Sequence, residues 1–136
     1  MRNLSLMALR VTMGALMLVW GIDKLVNVEH AMQVSNGFYL GLFSGPTLLN
    51  AFGIFQVALG LLVIVGLWRR LAYPALILIN LVSLVGVWRS ILDPWGWYLE
   101  RTNALFFPSV IITAAGFVLL AFQAEDRLSL DERARK

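Results

Sequence analysis

The side chains able to do chemistry fall into two groups. Arg10, Gln56, Asn80 and Thr113 stand inside otherwise apolar runs. A guanidinium placed in hydrocarbon costs at least ~2.5 kcal/mol even on a lenient insertion scale, so Arg10 needs a polar network, an anion or water beside it. The two amides and the hydroxyl are the neutral donors and acceptors such a network would use. The second group brings charge together with indoles: Asp23, Lys24, His30, Arg89, Asp93, Glu100 and Arg101, with Trp95 and Trp97 among them. Charged groups around an aromatic cleft suit an amphipathic molecule with a polar head and an apolar tail, such as a quinone or a lipid, or the charged face of a partner protein.

The residue types that are missing narrow the field. The chain has no Cys, which removes disulfides, thiolate catalysis and thiolate metal sites. His30 is its one histidine, too few for a multi-histidine metal or haem centre. No metal and no covalently held cofactor is therefore expected. The net charge is +3, but the basic residues lie between apolar runs rather than in one patch. That distribution points to membrane topology instead of nucleic acid.

The elements that must position these groups follow from composition. Of 136 residues, 60% are hydrophobic and 14% charged, against roughly half and a quarter in a soluble domain. A bilayer as solvent accounts for the excess. Crossing it as a helix takes about 20 apolar residues, and four stretches qualify, at about 4–24, 46–68, 71–92 and 103–122. The runs are continuous rather than alternating, which argues against strands. The expected fold is all-α: an antiparallel bundle of four transmembrane helices over residues 1–123, with a polar tail over 124–136. Pro46 suits a helix start and Pro74 the first turn of the third span. Pro108, deeper in the fourth, is expected to bend it. Arg10 inside the first span, and Asp23-Lys24 after it with no small-residue cleavage site, read against a removable signal peptide.

Orientation follows from the connecting segments. Both termini and the turn after Trp68 share a side carrying Arg2, Arg69, Arg70, Arg127, Arg133, Arg135 and Lys136. The other side carries Lys24, Arg89 and Arg101. The bias places both termini in the cytoplasm of a multi-pass protein of the cell membrane. In a Gram-negative bacterium that is the inner membrane, and the rim then faces the periplasm.

Residues three and four apart share a helix face. Such lines run through Arg10, Gly14, Met17, Gly21 and Lys24; through Gly53, Gln56, Gly60, Val63 and Leu67; through Tyr73, Leu76, Asn80, Ser83, Val87 and Ser90; and through Phe106, Ser109, Thr113, Gly116, Leu120 and Gln123. Small and polar residues collect on them, so these faces are expected to turn inward, where small residues allow close approach. At ~1.5 Å rise per residue, Arg10, Asn80 and Gln56 lie roughly 9, 14 and 18 Å from the cytoplasmic ends of their spans. A shared intramembrane network with Thr113 is the expectation. The alternative for Arg10 is a side chain that snorkels back to the headgroups.

The outer rim reads first as an interfacial aromatic belt with solvated charges. Arg89 and Asp93 are four apart and share a face. The connection between the first two spans adds Glu29, Phe38, Tyr39 and Phe43, and its length, unusual for a helix connection, favours a surface-lying segment. The tail, AEDRLSLDERARK, places Ser129 and Glu132 at capping-box spacing. A solvated, partly helical tail is the expectation.

The first-span pattern RVTMGALMLVWGIDKL, with Arg10, Gly14, Gly21 and Lys24, resembles the signature of the DoxX family of small four-helix membrane proteins. The segment GIFQVALGLLVIVGLWRR is similar to that family's glycine-rich hairpin with its basic turn, here Arg69-Arg70. The resemblance spans roughly residues 5–123 and implies a subunit like those of a thiosulfate:quinone oxidoreductase. Such a subunit would be non-catalytic or weakly catalytic, anchoring a redox partner at the outer face and helping to house a quinone. The family often carries a glutamate where this chain has Gln56, and an amide can neither relay protons nor balance Arg10. Two other readings stay open: an assembly factor or chaperone for membrane proteins, and an oligomeric transporter of small solutes or lipids. Lateral homo-oligomers are compatible with each.

Overall fold

The computed structural model describes residues 1–27, 29–30, 32–33 and 45–135. Phe38, Tyr39, Phe43 and Lys136 lie outside the described residues. Among those described there is no strand, and four helices are long and apolar enough to cross a membrane. Helix α1 is Arg2–Val26, α2 Pro46–Val65 and α3 Arg69–Gly86. A short α4, Trp88–Leu92, extends the third span. A 3-10 turn, Ala104–Phe106, leads into α5, Ser109–Ala121, and a second, Gln123–Glu125, leads into a short α6, Leu130–Ala134.

Glycines set the closest helix pair. A Cβ on Gly14 would stand 2.7 Å from the carbonyl oxygen of Gly60, and one on Gly60 2.7 Å from that of Gly14. Two turns along, a Cβ on Gly21 would stand 2.8 Å from the Gly53 oxygen. Helices α1 and α2 are thus antiparallel and in backbone contact at two levels, which only a missing side chain permits. Helices α3 and α5 pair in the same sense. Gly116 faces Ile77, and the Thr113 hydroxyl approaches the Asn80 carbonyl at 3.5 Å. Between the pairs, Met13, Met17, Leu59, Val63, Tyr73, Leu76 and Leu119 form the core. Leu78, Val85, Leu61, Ile54, Ile111 and Phe117 are exposed on the outside, the surface offered to acyl chains.

The inward faces are largely those expected. Arg10, Gly14, Met17 and Gly21 are buried on α1, Gly53, Gln56, Gly60 and Val63 on α2, Tyr73, Leu76 and Asn80 on α3, and Thr113 and Gly116 on α5. Lys24, Leu67, Ser83, Ser109 and Leu120 are only half-buried.

Three of the departures from the expected boundaries have local causes. Helix α2 ends at Val65, because Gly66 takes φ 72° and its N–H, with that of Leu67, returns to the Leu62 carbonyl. This is a Schellman-type stop that glycine permits. Helix α3 then begins at Arg69, two residues before the expected start, so Pro74 lies inside the helix rather than in its first turn. The early start has a cause at the tail, described below. Pro108 does not bend a continuous helix: it is the N-cap of α5, at the change from 3-10 to α geometry. There its missing N–H costs little.

Candidate functional site

The end of the bundle that carries both termini is closed by the tail. Arg10 is 2% exposed, so it does not snorkel. Its Nε–H donates to Asp126 Oδ2 at 2.7 Å, and an Nη1–H donates to the Ile64 carbonyl. Asp126 is equally buried. The counter-charge of the intramembrane arginine therefore comes from the segment expected to be solvated. The tail is partly helical and largely exposed as expected, but that expectation is corrected at Asp126: in water it would leave Arg10 an unpaired cation in hydrocarbon, and folding back removes the penalty.

Arg69 repeats the arrangement. Its Nε–H donates to Asp131 Oδ2 at 3.3 Å, its Nη2–H to Glu132 Oε1 at 2.8 Å, and an Nη1–H to the Gln123 carbonyl. Asp131 does more: its carboxylate accepts the backbone N–H of Trp68 at 3.0 Å and of Arg69 at 2.9 Å. Helix α3 has no side-chain cap of its own. The tail supplies that cap from far along the chain, satisfying donors a helix start leaves free. Capping at Trp68 and Arg69 is what starts α3 early. Burial pushes the Asp131 carboxyl pKa up, but these two N–H groups and the Arg69 guanidinium outweigh it, leaving it below the ordinary value.

The tail rests on Gly66, where a Cβ would collide with that of Ser129 and stand 2.9 Å from the Arg10 guanidinium. Ser129 caps α6 by accepting the Glu132 N–H, the capping spacing read in the sequence. Tyr73 completes the cluster, within electrostatic reach of Asp126, Arg10 and Arg69.

The four polar residues expected to share one network do not. Arg10 belongs to the tail cluster. Gln56 is buried with its Nε2–H directed at Met17 Sδ, 4.0 Å away, and its Oε1 has no hydrogen-bond partner among the described residues. The Asn80 amide likewise has none at either atom. Thr113 gives its hydroxyl proton chiefly to the Ser109 carbonyl at 2.8 Å, a bond within its own helix. The Thr113 approach to the Asn80 carbonyl is the one link within the set.

The rim lies at the other end. Its residues divide into scaffold and exposed groups. Asp93 is scaffold, not a charge facing solvent: it is buried, accepts Tyr98 N–H at 2.6 Å, Leu99 N–H at 2.8 Å and Trp97 N–H at 3.1 Å, and makes no ion pair with Arg89. Helical spacing placed the two on one face, but the chain leaves the helix at Asp93 and its N–H groups reach the carboxylate first. The Tyr98 N–H, joined by those of Leu99, Trp97 and Gly96, holds the Asp93 carboxyl pKa below the ordinary range despite burial. Gly96 turns the loop at φ 72°, and Arg101 leaves it at φ 59°. Ser90, fully buried, accepts the Asn103 N–H at 3.0 Å and ties the loop's end to α4.

On this scaffold Trp95 and Trp97 stack at 5.2 Å between ring centroids, both mostly exposed. Arg89 lies over the Trp88 ring at 5.4 Å and Lys24 over the Phe52 ring at 5.3 Å. Asp23 pairs with His30 at 2.7 Å. Glu100 and Arg101 are exposed and have no ion-pair partner among the described residues.

Sequence reasoning missed Asp126, Asp131, Glu132 and Arg69. A signal was present. No Asp or Glu occurs between Pro46 and Leu92 or between Asn103 and Phe122, so an arginine buried near the terminal end of the bundle has the tail as its nearest source of carboxylate.

A family model described as DoxX matches residues 5–89. The match takes in α1, α2 and α3, with Arg10, Arg69 and all the glycines of the α1–α2 contact, and leaves α5 and the tail outside. No curated protein matches the chain, and no solved structure does.

Proposed function

The chain belongs to the DoxX family, and on that premise we propose that it is a non-catalytic membrane subunit that anchors and assists a quinone-linked redox enzyme at the rim opposite its termini. One observation carries the reading: each arginine inside the bundle is already neutralised by a tail carboxylate, while the rim presents stacked indoles and unpaired charge on a braced loop. The chain has no Cys and one His, so the redox centre would be the partner's. Arg101, Arg89 and Lys24 would meet the partner's acidic surface or the polar head of a quinone, and Trp95 and Trp97 would pack against a ring or an apolar patch. The redox class itself comes from the family resemblance.

The test places a photo-crosslinking residue at Trp97 in the full chain, in membranes of its source organism. Crosslinking to a dehydrogenase or another redox protein, lost in the Trp95→Ala, Arg101→Gln variant, supports the reading. Crosslinks confined to lipid or to a second copy of the chain would sink it. Extraction of quinone with the purified complex, and not with the chain alone, separates a shared quinone site from one in this subunit.

A further inference from the structure

Two surface depressions meet at Trp68 and Leu71. One is an apolar groove of about 150 Å³ between α2 and α3, lined by Ala58, Ala72 and Ala75 together with Phe55 and Leu62. The other is a wide hollow of about 960 Å³ between the start of α3 and the tail, holding Arg69, Arg70, Arg135, Asp131 and Glu132. The acids of the hollow are already committed. Asp131 and Glu132 hold Arg69, and Asp131 also caps α3. Arg70 is exposed and has no partner among the described residues, and Arg135 uses one nitrogen on Glu132 at 3.3 Å. The hollow therefore presents cationic donors, and the groove beside it presents hydrocarbon.

Backbone conformation at the junction points the same way. Trp68 has φ 52°, a left-handed conformation that a bulky residue adopts rarely and that clusters at functional sites. The Asp131 carboxylate holds it there through the Trp68 N–H, and the indole stays 63% exposed beside Leu71 at 75%. Two large apolar side chains are thus held out at this end of the bundle.

We propose that this composite surface is a binding site for one anionic phospholipid, its phosphate on Arg70 and Arg135 and an acyl chain along the apolar groove between α2 and α3. The match is one of charge and shape together. Guanidinium groups recognise phosphate oxygens, and an apolar groove lined by alanines, leucines and aromatic rings suits an acyl chain. The orientation expected from the basic residues faces this end toward the cytoplasmic leaflet, where anionic lipid supplies the ligand. The site lies at the opposite end from the partner rim and does not depend on it.

The experiment uses the full chain in mild detergent, with phosphatidylglycerol and phosphatidylcholine of identical acyl chains as probes. Native mass spectrometry reads retained lipid, and thermal unfolding reads stabilisation. Wild type retains phosphatidylglycerol selectively, one per chain. Arg70→Gln with Arg135→Gln weakens that binding roughly 30-fold, from the affinity typical of two arginines at an anionic surface. Arg127→Gln with Arg133→Gln removes equal charge at the same end but outside the hollow, and leaves binding within a few-fold. Ala58→Phe fills the groove and reduces retention of the lipid at unchanged helical content. Equal retention of the two lipids, or equal losses in the two arginine double variants, would falsify the site in favour of unselective surface charge. Undiminished binding in Ala58→Phe would overturn the acyl-chain assignment.

Discussion

Asp126 accepts the Nε–H of Arg10 at 2.7 Å across a separation of 116 residues, with both side chains almost wholly buried. The pair ties the last segment of the chain to the first helix and closes one end of the bundle. Gln56 stands apart from this pair as a neutral core amide directed at Met17.

Asp126→Asn is expected to destabilise the bundle by about 3–5 kcal/mol, the cost of leaving a buried charge without its partner. Arg10→Met combined with Asp126→Leu should recover most of that loss, because the double variant buries no charge. Thermal or denaturant unfolding in detergent measures both. A double variant as unstable as Asp126→Asn would show that the pair acts through more than charge balance.

Gly14→Ala and Gly60→Ala should each cost about 1–3 kcal/mol, since the added methyl must push backbone away from backbone. Gly45, where a Cβ would meet nothing nearer than 4.0 Å, serves as the control and should tolerate alanine. The measurement is again unfolding in detergent, and equal tolerance at all three positions would contradict the close α1–α2 contact.

Asp131→Asn should lower stability by about 1–2 kcal/mol, because a neutral amide with one acceptor oxygen cannot hold both backbone N–H groups and the Arg69 guanidinium as the carboxylate does. Its pH dependence has a definite sign. The folded pKa is depressed below the ordinary 3.8, so the stabilisation is full above that value and disappears as pH falls through the lower folded value. The stability gap between wild type and Asp131→Asn should stay constant from neutral pH to about 5 and close in stronger acid. A gap that varies near neutrality would point to a different titrating group.

Asp93→Asn should loosen the loop that carries the indole stack, because an amide accepts backbone N–H groups less strongly than a carboxylate. The expected readout is weaker near-ultraviolet circular dichroism from Trp95 and Trp97, at unchanged helical content. The same loss should appear in wild type only when acid protonates Asp93 below the ordinary carboxylate range, given its lowered pKa.

Orientation is directly measurable because the chain has no Cys. Tyr98→Cys should react with a membrane-impermeant thiol reagent in intact cells or spheroplasts, and Arg133→Cys only after permeabilisation. The reverse pattern would turn the bundle over and exchange the leaflets assigned to the rim and to the lipid site.

Much of this was written in local pattern. Continuous apolar length specified four spans, and period-3.6 spacing of glycines and polar residues specified which faces turn inward: Gly14, Gly60, Gln56, Asn80 and Thr113 are all buried as their spacing predicts. Both signals are local, since a helix presents its own sequence every turn and lipid sorts its faces. Pairing across the chain left no such trace. Nothing near Arg10 in sequence names Asp126. A carboxylate at Asp131 reads as a solvated tail charge until Trp68 and Arg69 are beside it. Asp93 reads as an ion-pair partner of Arg89 until the chain turns and its own N–H groups arrive first. The sequence by itself determined the solvent, the helices and their buried stripes, because burial in lipid depends on composition and period alone. Only the tertiary structure decided which carboxylate meets which guanidinium. That choice depends on where chain ends come to rest in space, and on the rule that a charge removed from water takes the nearest partner the fold can bring to it.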